Sequence, residues 1–381
     1  MKRHAAAFTL AAMIVVAVWL GAAVFAQHTR NDPKRPQWPL GLGTLDDVPK
    51  RYPPRDTSND AARLTALAAA VGVDLTVPPA RPRADRTTLN RWLDAQLTRA
   101  DDHVDPPPPE LVVDDAAFAA LRAYLLGRAA IIWPTDVVAA AQAPLPNLYG
   151  NYTLTRLLIA HALVSPATAS DDLCAAWRLQ RALWHRPELI SKQVALAGTR
   201  MINAAARRLP AKPAWFDEME AIDYRRSILA AQQAEAWTVR KEVEDDRRDA
   251  DRIIDVIVQP YEEVCAANLA AVMRRTADRL ARSRDCAVDP SFDVPFWNRL
   301  GHRSMANAGA VWQRVARFQA ELEATERIFA IKAGRWTPTL EHSDCVDGSW
   351  TFADGTLRFS REIPARRPML NVPLTYSAPR R

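Results

Sequence analysis

From Ala5 to Ala26 the chain runs for twenty-two residues without a charge, and Thr9 alone among them has a polar side chain. At a rise of about 1.5 Å per residue, a helix of that length crosses a hydrocarbon core of roughly 30 Å. The run therefore predicts one N-terminal transmembrane helix. Lys2 and Arg3 precede it as in an export signal, and Val24-Phe25-Ala26 suits a signal peptidase, so cleavage after Ala26 is the alternative. The run exceeds the roughly 7–15 apolar residues of a cleaved signal, with Trp19 and Leu20 still bulky near its end, which favours an uncleaved signal anchor. Lys2 and Arg3 nearly balance Arg30, Lys34 and Arg35 across the run. The short leading tail is assigned to the cytoplasm and the body to the periplasm or the extracellular side, with the membrane as the first partner. No ionisable residue interrupts the run, so it offers no ion or proton pathway.

A nucleic-acid partner is the first reading that a net charge of +6 invites, and the position of that charge argues against it. Residues 1–56 hold eight Lys or Arg and four Asp, which leaves residues 57–381 at only +2. Hydrophobic residues at 49% and charged residues at 25% are the composition of a folded body and not of a disordered one. Seven of the fifty cations are Lys. Set beside the abundance of Ala, that imbalance reads as coding bias.

Residues 27–57 carry six prolines, Pro33 to Pro54, among scattered charges and read as an extended tether. Residues 58–335 read as an α-helical domain. Ser58-Asn59-Asp60 caps a helix that Gly72 stops, and Leu89, Trp92, Leu93 and Leu97 mark a second that Pro106 to Pro109 must end. Asp114 and Asp115 open a third, carrying Phe118, Leu121 and Leu125. Three closely connected segments follow over 147–164, 170–186 and 187–209, the last with Ile190, Val194, Ala197, Met201 and Ala205 inward and Gly198 permitting close approach. A long helix over 217–258 has a solvated, ion-paired middle at Arg240 to Arg252, Pro260 breaks it, and a last helix from Trp297 to Lys332 carries a near-heptad stripe. Residues 336–381 form a small antiparallel β element. Trp350 and Phe352, then Asp354-Gly355, then Leu357 and Phe359 spell a hairpin, and Leu370 to Tyr376 a further edge strand. The fold class is mainly α, a body of packed helical hairpins behind an N-terminal transmembrane helix.

Cys174, Cys265, Cys286 and Cys345 allow three pairings. Cys265 and Cys286 bracket most of one helix, too far apart for the roughly 7 Å reach of a bridge, so each is left to pair with Cys174 or Cys345 if disulfides form; four buried thiols are the other reading. No Cys or His spacing points to a metal, and no glycine-rich loop to a phosphate cofactor; the expected cofactor is none. The histidines are scattered. His161 sits in an apolar helix and reads as a satisfied core residue, His185 and Glu188 are separated by Pro187, and Ser191 reads as an ordinary helix-surface serine.

Asp46-Asp47-Val48-Pro49-Lys50-Arg51-Tyr52-Pro53-Pro54, Ala143-Pro144-Leu145-Pro146-Asn147-Leu148 and Arg186-Pro187-Glu188-Leu189-Ile190-Ser191 resemble segments of a bacterial group of membrane-anchored, mostly helical proteins with no assigned function. The resemblance implies a bacterial envelope and a periplasmic body, and carries no site residues. The functional expectation is an interaction or scaffold protein with protein partners in the cell envelope. Two alternatives remain. An envelope enzyme predicts that His161, His185 or His302 meets carboxylates in one pocket, and a binding protein for an apolar ligand predicts a cavity lined by Trp177, Trp184 and Trp237.

Overall fold

A computed structural model describes residues 13–14, 16–24, 36–79, 86–109, 111, 115–127, 130–139, 144–248, 253–286, 292–305, 308–335, 341–363 and 370–378. The chain is mainly helical, 61% of it, with a four-stranded antiparallel sheet at its C-terminal end. No helix among the described residues is long and apolar enough to cross a membrane. That corrects the transmembrane signal anchor expected over Ala5–Ala26, and with it the single-pass placement and the periplasmic or extracellular body. Within that run the described helical residues are 13–14 and 16–24, and its other positions lie outside the described residues.

The tether expected over 27–57 is packed in its described part, from residue 36 onward. Trp38, Leu42 and Val48 are buried, and Arg55 exchanges two backbone hydrogen bonds with Thr135, at 2.7 and 2.9 Å. Proline removes donors but leaves the apolar side chains between prolines free to find the helical body. Gly41 and Gly43, at φ of 67° and 70°, turn the chain tightly enough for Trp38 N to donate to Gly43 O at 2.7 Å. A 3-10 turn over Leu45–Asp47 then leads into α1 (Val48–Arg51).

The helices α2 (Asn59–Ala70), α3 (Thr87–Leu97) and α4 (Asp115–Leu126) bury Leu64 and Ala68, Leu89, Leu93 and Leu97, and Phe118, Leu121 and Leu125, while Trp92 is half-buried. Ser58 caps α2 through its hydroxyl, which accepts from Ala61 N at 3.1 Å, while Asp114 lies outside the described residues. The centre is α5 (Leu148–Val164), α6 (Ala169–Trp184) and α7 (Leu189–Ala206), each packed on the other two. On α7 the buried face differs from the apolar stripe. Ile190 is exposed, whereas Lys192, Thr199, Arg200 and Asn203 are buried.

The long helix expected over 217–258 is divided among α8 (Ala214–Glu220), α9 (Tyr224–Arg248) and the start of the helix that follows, with Asp223 accepting from Arg226 N at 2.8 Å where α9 begins. The solvated middle of that segment carries the i,i+4 pairs Arg240–Glu244 and Lys241–Asp245, and residues 249–252 lie outside the described residues. Pro260 does not break the next helix but sits inside α10 (Ile253–Arg282), which lies along α9. The last helical stretch is α11 (Arg299–Met305) and α12 (Ala308–Lys332); Val311, Val315, Phe318, Leu322 and Phe329 of α12 are buried against α7 and α9 of the same chain.

Four strands close the chain, β1 (Glu341–His342), β2 (Ser349–Ala353), β3 (Thr356–Phe359) and β4 (Thr375–Ser377), in sequential antiparallel order. Asp354 and Gly355 both adopt positive φ, the geometry of the two-residue turn that their sequence announces. Arginines anchor this tail to the helices. Glu321 on α12 accepts from Arg200 Nε at 2.8 Å and Arg317 Nε at 3.1 Å, and Arg207 Nε donates to Thr325 at 2.9 Å. The outward nitrogens then donate to tail carbonyls, Arg207 to Pro373 O at 2.6 Å and Arg317 to Val372 O at 2.8 Å. Cys286, just past α10, is bonded to Cys345 in the β1–β2 loop, and Cys174 and Cys265 are free and buried, so the second bridge is not formed.

Candidate functional site

Where the end of α6 turns into α7, the sequence His185-Arg186-Pro187-Glu188 forces a corner, because Pro187 lacks the amide proton to continue a helix. Arg186 holds it. Its Nε and Nη2 donate to the two Glu188 carboxylate oxygens at 2.9 and 2.7 Å, and its remaining N–H groups reach Pro134 O at 2.6 Å, Thr135 Oγ1 at 2.9 Å and Pro144 O at 3.0 Å. A bidentate guanidinium of this kind is rigid, and it ties Pro134, Thr135 and Pro144 to the corner. Ser191 is therefore no surface serine. It is buried and donates to Glu188 at 2.9 Å.

A cleft of about 670 Å³ opens over this corner, the size of a small-molecule site. Its floor includes Trp133, Trp184, Ile131 and Ala182, and around that floor stand Arg51, Arg55, Arg178, Arg181, Arg186, Arg226, Lys192 and His185, against Asp223 as the one acidic lining residue. Two further carboxylates neutralise part of the cationic wall from outside the lining. Glu188 serves Arg186, and Glu218 is shared by Arg181 at 2.8 Å and Arg178 at 3.4 Å. Seven formal cations thus face three carboxylates. The excess is concentrated by a low-dielectric wall, which strengthens its attraction for an anion.

The charges act on one another. Lys192 is fully buried, donates to the Trp184 carbonyl, and lies over the Trp184 ring at 5.7 Å from its centroid. Among the described residues no carboxylate is within ion-pair distance of its Nζ. Burial pushes its ammonium down to about 7; the charge of Glu188 opposes that shift and the charge of Arg186 adds to it. His185 is also lowered, by desolvation first and then by the charges of Lys192, Arg181 and Arg55. Trp133 Nε1 is buried without an acceptor among the described residues.

The histidines do not converge. His161 Nδ1 is 2.7 Å from Asp172 Oδ2, its ring stacks on Phe118 at 4.5 Å, and Ser165 Oγ is 3.4 Å from its Nε2. Asp172 is fully buried and also accepts from Arg122 at 3.1 Å and Thr168 at 2.9 Å, so this relay joins α4, α5 and α6 inside the core. His302 bonds the Pro295 carbonyl at 3.1 Å. Of the three tryptophans expected around an apolar cavity, Trp184 lines the cleft, Trp177 is core, and Trp237 packs in a separate cluster with Val48, Val137 and Ala234. Among the described residues no group of three His, Cys, Asp or Glu could hold a metal ion.

Arg51, Tyr52 and Pro53 line the cleft together with Arg186, which also holds the Pro144 carbonyl. Comparison of the chain with protein-family models, with curated proteins and with solved structures finds no match.

Proposed function

We propose that this protein is a binding protein for a small anion, a phosphate- or carboxylate-bearing molecule with an apolar body, held in the cleft over the α6–α7 corner. One observation carries the reading: six arginines, with Lys192 beside them, converge on a cavity with a single acidic lining residue, around a floor of tryptophan and aliphatic side chains. Like charges brought together cost free energy unless something of opposite sign meets them, and an anionic ligand meets this one. The apolar-ligand alternative contributes the floor, while the wall demands charge.

The test is thermal unfolding and calorimetric titration with pyrophosphate and with phenylpyruvate. Wild type is expected to be stabilised by one or both. Arg55→Ala/Arg181→Ala, which removes two cations from the cleft, should weaken that binding at least tenfold, and Arg358→Ala, at an exposed arginine on β3 outside the lining, should leave it unchanged. Equal response of all three proteins would sink the proposal, as would no response from wild type.

A further inference from the structure

Lys192 is an unusual wall for an anion site. The other cations of the cleft are arginines, which stay protonated and bind only through charge and hydrogen bonds. Lys192 carries a primary amine at the end of a side chain rooted in the first turn of α7, with its Nζ against the Trp184 carbonyl and ring. A buried amine among other cations, without a carboxylate paired to it, is the environment in which lysine loses its proton and becomes a nucleophile. Given the anion-binding reading, on which this rests, we infer that Lys192 captures the carbonyl group of an anionic ligand as an imine, so that the ligand class is a 2-oxo acid or a phosphorylated aldehyde.

The chemistry balances without a further reactant. The Nζ lone pair attacks the carbonyl carbon, the C=O π pair moves to oxygen, and a proton passes from nitrogen to that oxygen. The remaining N–H proton then passes to the carbinolamine hydroxyl, which leaves as water with the C–O bond pair, and the nitrogen lone pair closes the C=N bond to Lys192. Neither partner is oxidised or reduced. The arginines supply what a carbonyl alone lacks. Arg181 and Arg55, whose charges bear on the same imidazole as that of Lys192, would hold the carboxylate or phosphate while the carbonyl meets the amine. The lowered affinity of Lys192 for its proton, to about 7, makes the free amine available near neutrality.

The experiment is reductive trapping. The full chain is incubated with cyanoborohydride and, in separate arms, pyruvate, glyceraldehyde 3-phosphate and the neutral aldehyde propanal, and the modified peptides are mapped by mass spectrometry. The expected result is an adduct on Lys192 with one of the two anionic carbonyls, at least tenfold above that on Lys50, whose side chain is 77% exposed. It should disappear in Lys192→Arg and fall with either anion in Arg55→Ala/Arg181→Ala. Pyruvate and glyceraldehyde 3-phosphate distinguish the two ligand sources. Anion binding in the titrations with no adduct on Lys192 from any carbonyl would overturn the covalent step and leave the cleft reading standing. Adducts spread evenly over Lys50 and Lys192, or propanal labelling Lys192 as strongly as the anions do, would overturn the assignment too. Should Lys192→Arg fail to fold, Lys192→Met replaces it, with circular dichroism confirming helix content before trapping.

Discussion

A buried lysine records its environment as a dependence of stability on pH, and for Lys192 the sign is opposite to that of a paired lysine. Its amine is held down to about 7 in the folded chain, by burial first, against an ordinary value of 10.5. The charges facing it are those of Glu188 and Arg186, and only the first favours its ammonium. Between these two values the unfolded chain binds the extra proton, so stability rises with pH across about 7 to 10, and below 7 the full penalty applies. A shift of this size corresponds to a few kcal/mol. Lys192→Met removes the titration together with the bond to the Trp184 carbonyl, whose loss does not vary with pH. The expected outcome, in urea denaturation at pH 7 and pH 9.5, is a wild type that gains at least about 1 kcal/mol over that interval and a variant that gains measurably less. Parallel slopes would show that Lys192 keeps its ordinary affinity for a proton.

At the scale of elements, the start of α5 shows how a glycine can carry a packing role that composition hides. Asn147 caps that helix by accepting from Gly150 N at 2.8 Å, and its Nδ2 donates to Asp74 O at 2.9 Å, so the segment after α2 lies directly on the first turn. A Cβ on Gly150 would collide with the Asp74 backbone carbonyl, and with Leu75 Cδ2 at 2.9 Å. Backbone cannot step aside as a side chain can. Gly150→Ala is therefore expected to destabilise by roughly 1–3 kcal/mol, although Ala alone favours a helix by about 1 kcal/mol; a chemical denaturation midpoint at or above that of wild type would contradict the packing argument. This juxtaposition was not legible in the sequence, whereas the element itself was. Apolar spacing located α2 to α7 and α12, and Asp354-Gly355 located the hairpin, because those signals are local. The face of α7 was misread because its buried side includes Lys192, Thr199, Arg200 and Asn203, each satisfied by a partner from another element: the Trp184 carbonyl, the Trp184 indole, Glu321 and the Glu321 carbonyl. Hydropathy periodicity ranks such residues as outward when nothing local pairs with them. The cleft stayed hidden for a related reason. Its arginines come from α1, the turn after it, α6, the corner and α9, and an arginine excess read as coding bias gives no hint that a fraction of it converges. His185-Arg186-Pro187-Glu188 was the available signal, a charged corner between two apolar helices.

For the whole molecule, the attachment of the C-terminal sheet decides whether the chain unfolds as one unit. Trp350, Leu357 and Tyr376 of the sheet pack on Ala324 and Ile328 of α12, and the arginine-to-carbonyl bonds from α7 and α12 hold the tail between β3 and β4. Cys286–Cys345 adds the one covalent tie, closing a sequence separation of 59 residues with Cα atoms 5.5 Å apart. In the chain-entropy account a loop of that length contributes about 4 kcal/mol, because it restricts the unfolded chain more than the folded one. The bond joins the end of α10 to the β1–β2 loop, next to the packed interface, so its loss should not expose the sheet by itself. The expected outcome for Cys286→Ser/Cys345→Ser is a protein with unchanged helix content and a cooperative transition lowered by about 2–4 kcal/mol, matched by wild type under a strong reductant. Cys174 and Cys265, buried on α6 and α10 with their thiols pushed above the usual value by burial, should remain unlabelled by a thiol reagent until that transition. A separate early transition that removes only the near-ultraviolet signal of Trp350 would instead mark the sheet as an independently melting unit. In that case the arginine contacts alone would not couple it to the helices, and the disulfide would be what makes the fold cooperative.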